Sequence, residues 1–209
     1  MIRRCTLAGL ALLIAVPLVA QAPPGMQMRV DRSTNAADPD DVPEVTVETV
    51  EHGFETYTGP AAVFWTPANT ASGSYTLSGT FTLIEPSGHV NYYGLVFGGD
   101  ALEGDSQNYL YFLVAQNGTY IVKHRAGAET HDLVGRTSHD AVVQPGDDGS
   151  SINRLEVRVG EDEIQFVAND VVVHTQPREG MASRTDGLWG VRINHRIPGV
   201  RVEGLNVSN

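Results

Sequence analysis

From Glu44 onward the chain is a succession of short runs in which apolar and polar residues alternate, each run closed by Gly, Pro, Asn or Asp. A period of two sends successive side chains to opposite faces of a strand, and no segment sustains the 3.6-residue period of a helix. The alternation predicts strands near 45–50, 62–65, 74–84, 91–98, 108–115, 119–125, 130–135, 154–159, 163–168, 171–174, 187–193 and 200–207. Short strands in this number bury their apolar faces only by stacking two sheets or closing one. Residues 44–209 therefore read as one all-β domain, long enough for a sizeable core.

What precedes it has a different composition. Arg3 and Arg4 are followed by an apolar run from Leu7 to Leu18 and then small residues, the pattern of a secretory signal peptide over 1–20 with cleavage after Ala20. The expected location is secreted or periplasmic. The run is too short for a confident membrane span, so none is expected in the mature chain. Cys5 is the single cysteine and leaves with the leader, so the domain must be held by core burial rather than disulfides. Residues 21–43, rich in Pro, Asp, Ala and Met and including "ADPDDVPE", read as a disordered linker. The net charge is −11, from 14 basic against 25 acidic residues, and loss of Arg3 and Arg4 takes it to −13. Such a balance argues against nucleic acid or an anionic membrane and suits a neutral polymer.

The most regular stretch is "YLYFLVAQNGTYIVKHR", 109–125. Asn117-Gly118 matches a two-residue hairpin loop, and Asn169-Asp170 is a weaker version of one. A two-residue loop sets Val114 opposite Ile121, Phe112 opposite Lys123 and Leu110 opposite Arg125. Unpaired cations are costly to bury, so that face is expected to be the wetter one. Tyr111, Leu113, Tyr120 and Val122 are then expected in the core, with Val157, Phe166, Trp189 and Val191. A half-apolar face with converging cations suits a shallow groove, or else a face covered by a loop with its basic residues reaching out to solvent. In "GLWGVRINH", 187–195, Trp189, Val191 and Ile193 alternate with Gly190, Arg192 and Asn194, and the second set presents a cation and an amide. The candidate ligand-binding residues are Phe112, Lys123, Arg125, Arg192 and Asn194.

The loop "GGDALEGDSQNY", 98–109, groups Asp100, Glu103 and Asp105, carboxylates of the kind a calcium ion takes, although a solvated loop explains them equally well. The 7 histidines form no metal spacing. His131-Asp132 and His139-Asp140 are neighbours in sequence, but adjacent strand residues point to opposite faces. No nucleophile elbow or phosphate loop is present, and no catalytic residue is nominated.

The segments "YYGLVFGGD", "NYLYFLVAQNGTYIVKHR", "NRLEVRVGEDEIQFVANDVVVHT" and "DGLWGVRINHRIPGVRVEGLNV" resemble successive strands of a concanavalin A-like jelly roll. The resemblance is strongest to the secreted bacterial 3-keto-disaccharide hydrolase-like domains, which share their layout with laminin-G-like domains. It implies a two-sheet antiparallel jelly-roll sandwich whose concave face is used for glycans. The Glu-x-Asp-x-x-Glu strand of jelly-roll glucanases has no counterpart, since "GEDEI" at 160–164 reads as a hairpin turn. Fold alone does not license an activity, so three readings stand. The first is a carbohydrate-binding domain with a glycan groove on its concave sheet. The second is a hydrolase of a modified (3-keto) disaccharide, and the third a structural or partner-binding module of the cell envelope.

Overall fold

The computed structural model describes residues 22–31 and 45–209. The expected leader, Cys5 and residues 32–44 lie outside them. Fourteen strands follow in order: β1 (Gln27–Asp31), β2 (Thr46–Val50), β3 (Gly53–Thr58), β4 (Ala61–Ala71), β5 (Tyr75–Glu85), β6 (Tyr92–Asp100) and β7 (Asn108–Ala115). The remaining seven are β8 (Thr119–Ala126), β9 (Glu129–Ser138), β10 (Ser151–Val159), β11 (Glu163–Ala168), β12 (Val171–Pro177), β13 (Gly187–Asn194) and β14 (Ile197–Ser208). They form two antiparallel seven-stranded sheets, β1-β4-β13-β6-β7-β8-β9 and β12-β11-β10-β5-β14-β3-β2. No helix among the described residues is long and apolar enough to cross a membrane.

β5 shows why the layers form. Tyr75, Leu77, Gly79, Phe81 and Leu83 are buried, while Thr76, Ser78, Thr80, Thr82 and Ile84 between them are half-exposed. One face enters the core and the other meets water, as expected of an antiparallel sheet. Phe64, Leu95, Phe112, Val122 and Val191 of the first sheet meet Leu77, Phe81, Val157 and Phe166 of the second in one cluster. Phe112 lies with its ring 5.3 Å from that of Phe166. One buried amide in this layer is well satisfied. Asn153 accepts from the Val143 amide at 2.8 Å and donates to the Val143 carbonyl at 3.0 Å, pinning the loop before β10 to the core.

Three expectations need correction. Part of the predicted linker is a strand: Gln27–Asp31 pairs along β4 from Gln27↔Trp65 to Asp31↔Ala61. Met26, Met28 and Val30 pack against the core, which leaves Gln27, Arg29 and Asp31 on the opposite face. β3 was not foreseen, because Phe54 is its single large inward apolar residue and Thr56 and Thr58 complete the buried side. β4 runs on to Ala71 through Pro67, which lies beyond the end of β1 and inside the irregular stretch facing Leu188 and Gly190. There a missing amide disrupts no ladder.

A further correction moves side chains between faces. The β7–β8 loop holds three residues, not two: the Gly118 amide donates to the Ala115 carbonyl at 3.1 Å, and Gly118 takes φ +76°. This is the turn-plus-bulge alternative to a two-residue loop. The observed pairs are Val114↔Tyr120, Phe112↔Val122, Tyr111↔Lys123 and Tyr109↔Arg125, one step from the expected register. A one-residue slip exchanges the faces of one strand relative to its partner. Asn169 and Asp170, at φ +51° and +67°, do form the expected two-residue turn, between Ala168 and Val171.

Candidate functional site

The second sheet has an ordinary wet outer face. Along β10, Glu156 lies between Arg154 and Arg158, each 2.6 Å away, and Arg201 of β14 donates to Glu55 of β3 at 2.6 Å. The first sheet differs. Val63, Trp65, Tyr92, Val96, Tyr109, Tyr111, Leu113 and Ile121 form a second buried cluster on its outer face, joined by Leu102 and Val90 from flanking segments and by Leu188 of β13. An antiparallel sheet apolar on both faces is not the default, so this face invites a functional explanation.

Register places its polar groups. Arg29, Val63 and Arg192 are side by side on β1, β4 and β13. Val96, Tyr111, Lys123 and Asp132 form the next row on β6, β7, β8 and β9. Arg192 is only 4% exposed, yet its neighbours supply polar partners. It donates through Nη1 to the Tyr109 hydroxyl at 2.7 Å and to Asp31 Oδ2 at 3.3 Å, and through Nη2 to Asn194 Oδ1 at 3.0 Å. Its guanidinium carbon lies 5.5 Å from the Tyr111 ring centre and 6.0 Å from that of Tyr109, within cation–π range. Nε of Arg192 is buried with no hydrogen-bond partner among the described residues.

Asp31 is shared. Its Oδ1 accepts from Arg29 Nε at 2.6 Å while its Oδ2 takes the longer bond from Arg192. Burial by itself would raise the Asp31 carboxyl. The hydrogen bond from Arg29 and the charges of Arg192, Arg29 and Arg125 more than offset it, and the group is held below its ordinary value. Arg29 also donates to the Gly104 carbonyl and lies 3.6 Å from Asp105, which ties β1 to the loop after β6.

Of the residues expected to bind ligand, Lys123, Arg125, Arg192 and Asn194 lie on this outer face, and Phe112 does not. Phe112 is fully buried between the sheets, because the three-residue loop puts it opposite Val122. Tyr111 and Leu113, expected in the central core, are buried on the outer face instead, with Ile121. Tyr120, Val122, Val157, Phe166, Trp189 and Val191 lie between the sheets as expected. Lys123 keeps 27% of its side chain exposed and bridges to Asp132 at 2.8 Å. Arg125 is half-exposed and donates through Nε to the Gly127 carbonyl at 2.6 Å. Gly190 does not provide room for a ligand: a Cβ there would stand 2.0 Å from the Phe64 carbonyl oxygen, so it serves close strand approach.

Among the described residues no three His, Cys, Asp or Glu side chains are grouped to hold a metal. Asp100 lines a cleft with Asn108, Arg184 and Asp186, while Asp105 faces Arg29.

Sequence reasoning missed Arg29, Asp31 and Tyr109. A signal was present in "MQMRVD", where Met26, Met28 and Val30 alternate with Gln27, Arg29 and Asp31.

No family model and no curated protein sequence matches this chain. Solved structures share its fold. The carbohydrate-binding module CBM66 from Bacillus subtilis superposes with a TM-score of 0.61 at 11% identity, over 79% of this chain and 92% of that one. The Bacteroides ovatus mixed linkage glucan GH16 in complex with a G4G4G3G product gives 0.57 at 7% identity, over 88% and 94%. A Bacillus subtilis protein of unknown function with a galectin-like fold gives 0.54 at 14%, over 87% and 88%. At such identities the likeness is one of fold, and in fold the chain is a concanavalin A-like jelly-roll sandwich.

Proposed function

We propose that the protein is an exported carbohydrate-binding domain whose glycan-contacting surface is the Lys123–Arg125 end of the first sheet's outer face. The observation that carries this reading is the difference between the two outer faces. The second sheet's carries hydroxyls, paired ions and scattered apolar residues such as Tyr57 and Ile152, whereas the first sheet's joins a contiguous tyrosine-rich cluster to partly exposed cationic donors. A sugar offers an apolar ring face and a rim of hydroxyls, which an aromatic ring and a planar guanidinium complement. The shared fold with a carbohydrate-binding module supports the reading, and the basic-then-apolar leader supports export.

Binding is favoured over cleavage by the state of the carboxylates. Asp31, the carboxylate set among the arginines of this face, is held below its ordinary value by Arg29, Arg192 and Arg125. A carboxylate held ionised by guanidinium groups is a poor proton donor, and glycoside hydrolysis needs one.

The test is a glycan array followed by calorimetry on the wild type and Arg125→Ala. The variant is expected to bind at least about tenfold more weakly, the loss of roughly 1.4 kcal/mol, with its melting temperature unchanged. Undiminished binding by Arg125→Ala would move the site elsewhere, and a wild type that binds no glycan would remove the reading.

A further inference from the structure

The charge arrangement around Arg192 names a class of sugar. Three guanidiniums, Arg29, Arg125 and Arg192, act on the single carboxylate of Asp31. Arg29 holds the short bond to it, at 2.6 Å, and the most deeply buried of the three, Arg192, has the long one, at 3.3 Å. The other partners of Arg192, Tyr109 and Asn194, are neutral. Lys123 is neutralised by its own partner, Asp132. Among the described residues, with Asp105 counted beside Arg29, the centre of the face is thus left with more positive than negative charge, and its buried guanidinium has one N–H, on Nε, with nothing to donate to. Buried charges are normally paired and buried donors normally satisfied, and an exception calls for an explanation.

We propose that this cluster takes the carboxylate of an acidic sugar, a uronic acid unit within a glycan. The proposal rests on the glycan-binding reading of the same face and adds the charge of the ligand. Arg125 is the entry group, being half-exposed and bonded only through Nε to the backbone among the described residues. Arg192 stands 5.5 Å from the Tyr111 ring centre, and both arginines act on Tyr109 and Tyr111. A carboxylate accepts two parallel N–H bonds from a guanidinium, stronger and more directional than those a hydroxyl makes. The net negative charge of the whole chain does not forbid this. Charges on distant faces are screened beyond about 10 Å at 0.1 M salt, while a partly buried pair is screened much less.

The experiment measures binding, by calorimetry, of hexagalacturonate and of alginate and hyaluronan oligosaccharides, each beside its carboxyl-reduced form. At least one acidic oligosaccharide is expected to bind, and reduction of its carboxyls to weaken it at least about tenfold, or 1.4 kcal/mol. Arg125→Ala and Arg192→Lys are each expected to lose a similar factor, with Arg201→Ala on the other sheet as the unaffected control. Should Arg192→Lys fail to fold, Arg125→Ala decides. Binding confined to neutral glycans, or equal binding of acidic and reduced forms, overturns the acidic-sugar proposal and leaves the glycan-binding reading intact. Silence toward every glycan overturns both. Carboxyl-dependent binding that survives both arginine substitutions removes the site from this cluster.

Discussion

Phe112→Ala is expected to lower the folding free energy by about 3–5 kcal/mol, the range for deleting a buried phenyl ring. The side chain is fully buried, with the Phe166 and Tyr120 rings 5.3 and 6.1 Å away. Strands on both sides hold the backbone in place, so the cavity cannot collapse fully. Urea denaturation measures the loss, and Lys123→Ala serves as contrast. Its pair with Asp132 is partly exposed and contributes at most about 1 kcal/mol. A loss below about 1 kcal/mol for Phe112→Ala would mean that this residue faces outward and that the strands pair in the other register.

The second large effect is at Asp31. Asp31→Ala takes away the one carboxylate bonded to Arg192 among the described residues and leaves a buried guanidinium without that counter-charge, a change that costs about 3–5 kcal/mol in buried pairs. A chain beginning at Val45 should lose at least as much, because it forfeits the whole β1–β4 ladder as well. The pH dependence has a definite sign. The Asp31 carboxyl is held below its unfolded value of 3.8, so the unfolded chain binds this proton first as pH falls. The stabilisation is therefore complete above about pH 4 and is lost as pH drops through the lower folded value. Acid denaturation of the wild type should contain this component, and Asp31→Ala should lack it. Equal stability of the two proteins at pH 7 would show that β1 is dispensable.

The two main departures from the sequence reading share causes that can be named. The alternation of β5, β10 and β13 was plain because each strand has one face against the core and a contrasting one outside. Trp189, Val191 and Ile193 were assigned to the inner face on that basis, and Arg192 and Asn194 to the other. Arg192 was read as presenting its cation on that face, as a group a ligand could meet. It is buried there beside Asp31, which sits in a segment read as disordered. One missed strand thus accounts for both errors. "QMRVD" escaped notice because its apolar residues are few and Pro and Asp surround it.

The hairpin error is of another kind. Asn-Gly serves both a two-residue loop and a three-residue loop with glycine at the left-handed position. The choice here goes with tertiary burial. With Phe112, Tyr120 and Val122 inward and Lys123 and Arg125 outward, all hydrophobic and charged groups are accommodated at once. In the expected register Phe112 would share the outer face with Lys123. No local signal separates the two, because β7 is apolar on both sides, and the second apolar side is the site itself.

The measurement that tests the central claim most directly is a structure of the protein with its tightest-binding oligosaccharide. The account predicts a sugar ring at the Tyr111 edge of the first sheet, with oxygens within hydrogen-bond reach of the Arg125 guanidinium. A sugar seated instead on the outer face of the second sheet, against Glu55 and Arg201, or in the cleft lined by Asp100 and Asp186, would contradict it.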